Sequence, residues 1–164
     1  MVTAANPIGA TFKFEIIDKM LQFRIYVDGY ADPTNYLPVP EMDVDYLISL
    51  DSGLKWEFDF GPGGDADAAL TFKNPGQAHY YRREPVQGAG GIDPTKLLLK
   101  AKWSGRGRNQ YDAKTDDHPF NVAILLEQPG GGKLRVLVDP DVKNPPPVGQ
   151  LIGSGSVPFS VEPA

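Results

Sequence analysis

The chain has 164 residues and a net charge of -5, with a sequence pI near 4.9; that length fits one domain able to bury roughly 70% of the surface its unfolded form exposes. Its 41% hydrophobic and 23% charged residues exclude a disordered chain, and no apolar run approaches the ~18 residues of a membrane helix. The absence of cysteine excludes disulfides and thiolate chemistry, and the acidic balance argues against nucleic-acid binding, which needs Lys and Arg clustered over an extended face.

Glycine and proline, 18 and 16 in number, punctuate secondary structure more than they extend it, so many short elements are expected. From Ala10 to Val27 the pattern alternates twice: Phe12, Phe14 and Ile16 oppose Lys13 and Glu15, then Leu21, Phe23, Ile25 and Val27 oppose Gln22, Arg24 and Tyr26. A period of two predicts half-buried strands, with Asp18 and Lys19 as a tight hairpin connection. Asp32 to Met42 reads as a proline-bearing loop, with Tyr30 before it and Tyr36 within it. Val44 to Leu50 and Leu54 to Phe60 read as strands joined by Asp51, Ser52 and Gly53, the glycine placed for a left-handed turn. GPGGDADA then breaks regular structure, and shorter strands are expected at Ala69 to Lys73, Ala78 to Arg83 and Leu97 to Trp103. PVQGAGGIDP reads as a flexible excursion, and Asp93 to Leu98 is balanced between strand and a helical turn with Asp93 as N-cap and Pro94 in first position. The polar segment SGRGRNQYDAKTDDHP leads into Asn121 to Glu127 and Lys133 to Asp139, a hairpin across three glycines.

These elements predict an all-β fold: an antiparallel two-sheet sandwich, immunoglobulin-like or Greek-key, of about seven to eight strands. Residues 1–147 are expected to form that single domain. Residues 148–164 form a Pro/Gly/Ser-rich tail with the composition of a linker followed by an appended peptide. Within it Val157, Phe159 and Val161 alternate with Pro158, Ser160 and Glu162, the spacing of a peptide that adds to a sheet edge of its own molecule or a neighbour.

Chemistry-bearing motifs are sparse. His79 and His118 have no partner at metal-ligand spacing, no serine sits in a G-x-S-x-G elbow, and no glycine-rich stretch precedes a helix that would hold a phosphate. No catalytic residue and no cofactor is expected. Asp65 and Asp67 in GGDADA alternate on a glycine-rich loop, a pattern that suits a hard cation such as calcium; a solvated loop whose aspartates cap turns is the commoner outcome. Lys100, Lys102, Arg106 and Arg108 interleave with Trp103 and Tyr111, and strand pairing would bring Arg82 and Arg83 beside them. Such a cluster suits an anionic, planar or sugar-like ligand; the plainer reading is strand faces and a loop blunted by charge against edge pairing.

The stretch Leu137, Val138, Asp139, Pro140, Asp141, Val142 and Asn144, an apolar strand ending in Asp-Pro, resembles the ends of short single-domain bacterial β-sandwich proteins and, more loosely, the inclusion-body protein family. The resemblance implies an all-β fold and no catalytic residues. The resulting expectation is a non-enzymatic binding or self-assembly module. Its loops Asp32 to Met42, Gly61 to Ala68 and Ser104 to Pro119, together with the tail, would meet a protein partner or a second copy. Binding of a carbohydrate or acidic small molecule, with calcium at Asp65 and Asp67, is the alternative. Without a basic n-region and apolar h-region at the N-terminus, a cytoplasmic protein is expected.

Overall fold

The computed structural model describes residues 6–147 and 156–164, and the chain builds two facing β-sheets by passing back and forth between them. In the first sheet β1 (Ile8–Ile17) and β2 (Met20–Val27) form the expected hairpin. Its two turn residues both have positive φ, 51° at Asp18 and 66° at Lys19, the mirror-image turn whose twist matches that of the strands it joins. The chain crosses to the second sheet as β3 (Tyr36–Pro38) and returns as β4 (Val44–Leu50), which lies parallel to β1. β5 (Trp56–Phe58), the one-turn α1 (Ala66–Ala69) and β6 (Leu70–Phe72) take it back to the second layer. A 3-10 turn over Pro75–Tyr80 leads into the hairpin of β7 (Tyr81–Gly88) and β8 (Gly91–Ala101) in the first sheet. The short α2 (Ala113–Asp116) precedes β9 (Asp117–Glu127), β10 (Lys133–Val138) and β11 (Asp141–Lys143), all in the second sheet. The chain ends with β12 (Ser156–Val157) on the first sheet and β13 (Phe159–Pro163) on the second.

The strand order is β12-β2-β1-β4-β8-β7 in one sheet and β13-β10-β9-β11-β3 in the other, with β5 and β6 also pairing β9. β11 keeps the register of β10 along β9, so Asp139-Pro140 interrupts one long strand; proline donates no ladder bond there, while the Pro140 carbonyl accepts from Phe120 N at 3.0 Å. Between the sheets lies one apolar layer. Phe12, Phe23, Ile48 and Leu99 from one side meet Phe58, Phe120, Ile124 and Val136 from the other, all buried. Edge-on aromatic contacts run through it, Phe12 to Phe23 at 5.4 Å and Phe14 to Phe159 at 5.0 Å between centroids. No helix among the described residues is long and apolar enough to cross a membrane.

The two-sheet all-β architecture is as expected, and several particulars differ. Thirteen short strands are present among the described residues, and two pairings, β1 with β4 and β3 with β11, are parallel. β4 and β5 are not a hairpin: the connection at Asp51, Ser52 and Gly53 carries the chain between sheets, and Gly53 is not left-handed. Asp93 to Leu98 is strand, and the supposed excursion around Gly88 is a tight hairpin closed over Ala89 and Gly90. Asp93 imitates a helix cap because its Oδ1 accepts from both Thr95 N at 2.9 Å and Thr95 Oγ1 at 2.7 Å. The end of the tail belongs to the sandwich: Val157 pairs with Phe23 and is buried, and Val161 pairs with Val136. The linker-like residues 148–155 lie outside the described residues.

Candidate functional site

The sandwich has two ends of opposite character. At one end two of the three loops expected to face a partner, Asp32 to Met42 and Ser104 to Pro119, meet and engage each other. Glu41 Oε1 accepts from Arg108 N at 2.8 Å, and Asp43 Oδ1 accepts from Trp103 N at 2.9 Å. Trp103 donates its indole N–H to Arg106 O at 3.0 Å, and Arg106 lies 3.5 Å from Asp116 and 3.8 Å from Asp112. Tyr111 donates to Asp117, whose Oδ1 also accepts from Lys143 Nζ at 3.0 Å. The Lys143 ammonium sits over the rings of Tyr36 and Tyr111, at 5.3 and 6.0 Å. Of the expected recognition residues here, Tyr30 and Arg108 are exposed, Trp103, Arg106 and Tyr111 are half-buried, and Tyr36 is buried.

Behind these loops lies a closed polar network. His118 Nε2 is 2.9 Å from the Thr115 carbonyl, which can only accept; the ring proton therefore sits on Nε2, leaving Nδ1 to accept from the Tyr81 hydroxyl. Asn144 donates to Lys102 O at 2.6 Å and to the Tyr81 oxygen at 3.4 Å, and accepts from Ser104 N at 3.0 Å. Burial lowers the His118 pKa and raises that of Tyr81, so both are neutral at pH 7. With each member satisfied, this network fixes the loops and leaves no free group for a substrate.

Other sequence candidates are dispersed. Arg82 points to solvent and pairs with Glu84 at 2.8 Å. Arg83 faces the other way, donating to Leu70 O at 2.8 Å and pairing with Asp67 at 3.0 Å, so the two arginines do not converge. The calcium site is not assembled. Asp65 Oδ1 caps α1 by accepting from Asp67 N at 2.9 Å, Asp67 is committed to Arg83, and no cluster of three metal-ligating side chains occurs among the described residues.

The opposite end is apolar and open. Strand parity puts Ile16 and Leu21, opposite each other across the hairpin, on the inner face of the first sheet, yet they are 77% and 53% exposed. The facing inner wall of the second sheet ends in Leu126, Leu134 and Val161. Between the walls opens a cleft of about 410 Å³, floored by Phe14 and flanked by Leu54, with Asp51 supplying its charge. Met20 at the turn is 65% exposed and, by the same parity, lies on the outer face. The core layer therefore runs on past the point where the sheets cover each other. Alternation alone reads Ile16 and Leu21 as ordinary core-facing positions; the signal that marks them out is Ile16-Ile17 and Met20-Leu21, adjacent apolar pairs beside the turn that no single buried face absorbs.

No protein-family model matches the sequence, and no curated protein matches it significantly.

Proposed function

We propose that the chain is a non-enzymatic self-assembly module in which the open apolar end docks a second copy. The observation that carries this reading is the convergence of Ile16, Leu21, Leu54 and Val161, all large and exposed, around one cleft. Soluble domains rarely leave contiguous apolar surface of this kind without a partner. A small ligand would fill the cleft and still leave the hairpin tip wet, whereas a protein surface covers both. The two halves of the feature are self-complementary: the protruding tip of one copy supplies the layer missing from the mouth of the other, and a two-fold axis repeats the contact. Asp18 and Lys19 form the turn at the tip and Asp51 lines the mouth, so Lys19 can meet Asp51 across the axis. The tail contributes from within its own chain, as one wall of the mouth. Both ring nitrogens of His118 are engaged internally, which supports a binding role over a catalytic one.

Light scattering across a concentration series tests the proposal. Wild type is expected to pass from monomer to dimer, with a Kd on the order of 10 μM, and Leu21→Asp is expected to stay monomeric at the same fold stability because the side chain is already exposed. A wild type that remains monomeric throughout overturns it, as does a Leu21→Asp variant that still dimerises.

A further inference from the structure

On the outer surface of the first sheet, at the loop end and away from the apolar mouth, three charged residues stand in a row. Asp45 of β4 pairs across to Lys100 of β8, which pairs across to Arg82 of β7. Their neighbours Val44, Tyr46, Leu99 and Ala101 face the core, so the row faces outward. With His79, Tyr80 and Lys102 it lines a groove of about 670 Å³. Asp45 is only 6% exposed, and its Oδ2 is buried with no hydrogen-bond partner. A buried carboxylate oxygen left unpaired is unfavourable, and a donor brought by a ligand would satisfy it. Lys100, its cross-strand neighbour, reaches Glu84 only at 3.8 Å and is a third exposed, so its side chain has room to turn aside when a ligand approaches Asp45.

The charge balance selects the ligand. Arg82, Lys100 and Lys102 are matched by Asp43, Asp45 and Glu84, so neither an anion nor a cation gains net attraction from the groove. Alternating acceptors and donors suit groups that both donate and accept, which is what a hydroxyl does. Beside the row the exposed His79 ring lies 4.0 Å from Tyr80, and its Nδ1 donates to Gly76 O at 2.7 Å, fixing a flat wall for the C–H face of a ring. We propose that this groove binds a neutral polyhydroxylated ligand, a saccharide, with Asp45 and Lys100 exchanging hydrogen bonds with its hydroxyls and His79 packing against the ring. The site is separate from the dimer contact and does not depend on it.

The test is a two-dimensional NMR titration of the ¹⁵N-labelled full chain with glucose, mannose, galactose and N-acetylglucosamine oligomers, and with sodium sulfate in a separate arm. Saturable shifts are expected at amides of residues 43–46, 79–82 and 100–102, with a Kd on the order of 1 mM for at least one saccharide. Asp45→Asn should weaken that binding by about tenfold or more. His79→Ala, at an exposed position outside the core, should weaken it several-fold with a dispersed spectrum, which keeps the test decisive if Asp45→Asn is poorly folded. Folded wild type that shows no saturating shift with any saccharide overturns the proposal. So do shifts at these amides from sulfate alone, or a His79→Ala variant that binds as wild type does.

Discussion

His118 is a buried imidazole with each nitrogen committed: Nε2 gives its proton to Thr115 O and Nδ1 receives the Tyr81 hydroxyl. Protonation would place a second proton where Tyr81 already donates, and would leave a charge in a site that burial has stripped of water. Its pKa is therefore depressed from 6.5, with desolvation the largest cause. Above pH 6.5 both folded and unfolded chains hold the ring neutral, and it contributes nothing to pH dependence. Below that value the unfolded chain takes up a proton that the folded chain refuses, so stability falls with falling pH, by at most about 1.4 kcal/mol per pH unit, until the depressed folded pKa is reached. Asp45 and Asp141 have carboxyl pKa values raised by burial, so they act in the opposite sense at lower pH, where the folded chain binds the extra proton. Urea midpoints taken between about pH 7.5 and about pH 5.5 isolate the histidine. They should fall with pH in wild type and flatten in His118→Asn; a wild-type midpoint that does not move would show that the ring protonates without disturbing the network.

The shortest strand, β12, joins the two layers. Val157 enters the core at 2% exposure on the first sheet, Pro158 turns the chain, and Phe159 reaches the second sheet to pack edge-on against Phe14. Val157→Ala should cost about 2 kcal/mol, the lost transfer of two methyl groups plus the cavity they leave, and denaturant unfolding of the full chain measures it. A cost near zero would mean that the C-terminal strands dock without contributing to the core. Much of this architecture was legible in the sequence: β1, β2 and β10 alternate, β9 is an unbroken apolar run, and two of their turns carry Asp-Lys or triple glycine. The β7–β8 hairpin was obscured because Pro85 and the Asp93-Pro94 pair read as breaks; Pro85 lies on the edge strand β7, where proline is tolerated, and Pro94 falls in the irregular stretch between Asp93, which pairs Val86, and Leu97, which pairs Pro85. The parallel pairing of β1 with β4 left no local signature, since it is set by a crossover through the other sheet.

At the scale of the whole molecule the two long loops at one end are paired with each other, whereas the hairpin end leaves its apolar layer uncovered. Loops that carry tyrosines and arginines are where the sequence leads one to expect recognition residues. Much of that surface proved to be paired with itself: Asp112 and Asp116 engage the Arg106 guanidinium, Asp117 takes the Tyr111 hydroxyl, and Glu41 and Asp43 accept from the backbone N–H groups of Arg108 and Trp103. Exposure of core-facing residues cannot be read from one strand, as it depends on where the opposite sheet stops. Salt separates the forces acting on the proposed dimer. Two copies of net charge -5 repel by about 3 kcal/mol at a centre separation of about 30 Å in unscreened water. At 10 mM salt roughly a third of that repulsion survives, and at 0.15 M essentially none. The exposed pair across the rim, Lys19 with Asp51, contributes only a few tenths of a kcal/mol at each of its two symmetry-related occurrences, and the apolar contact is not screened. Relief of repulsion therefore outweighs loss of the rim pairs, and the association constant should rise about fivefold between 10 mM and 0.15 M NaCl in sedimentation equilibrium. An association that weakens over this range would mean that ion pairs hold the copies together and that the open core layer is not what joins them.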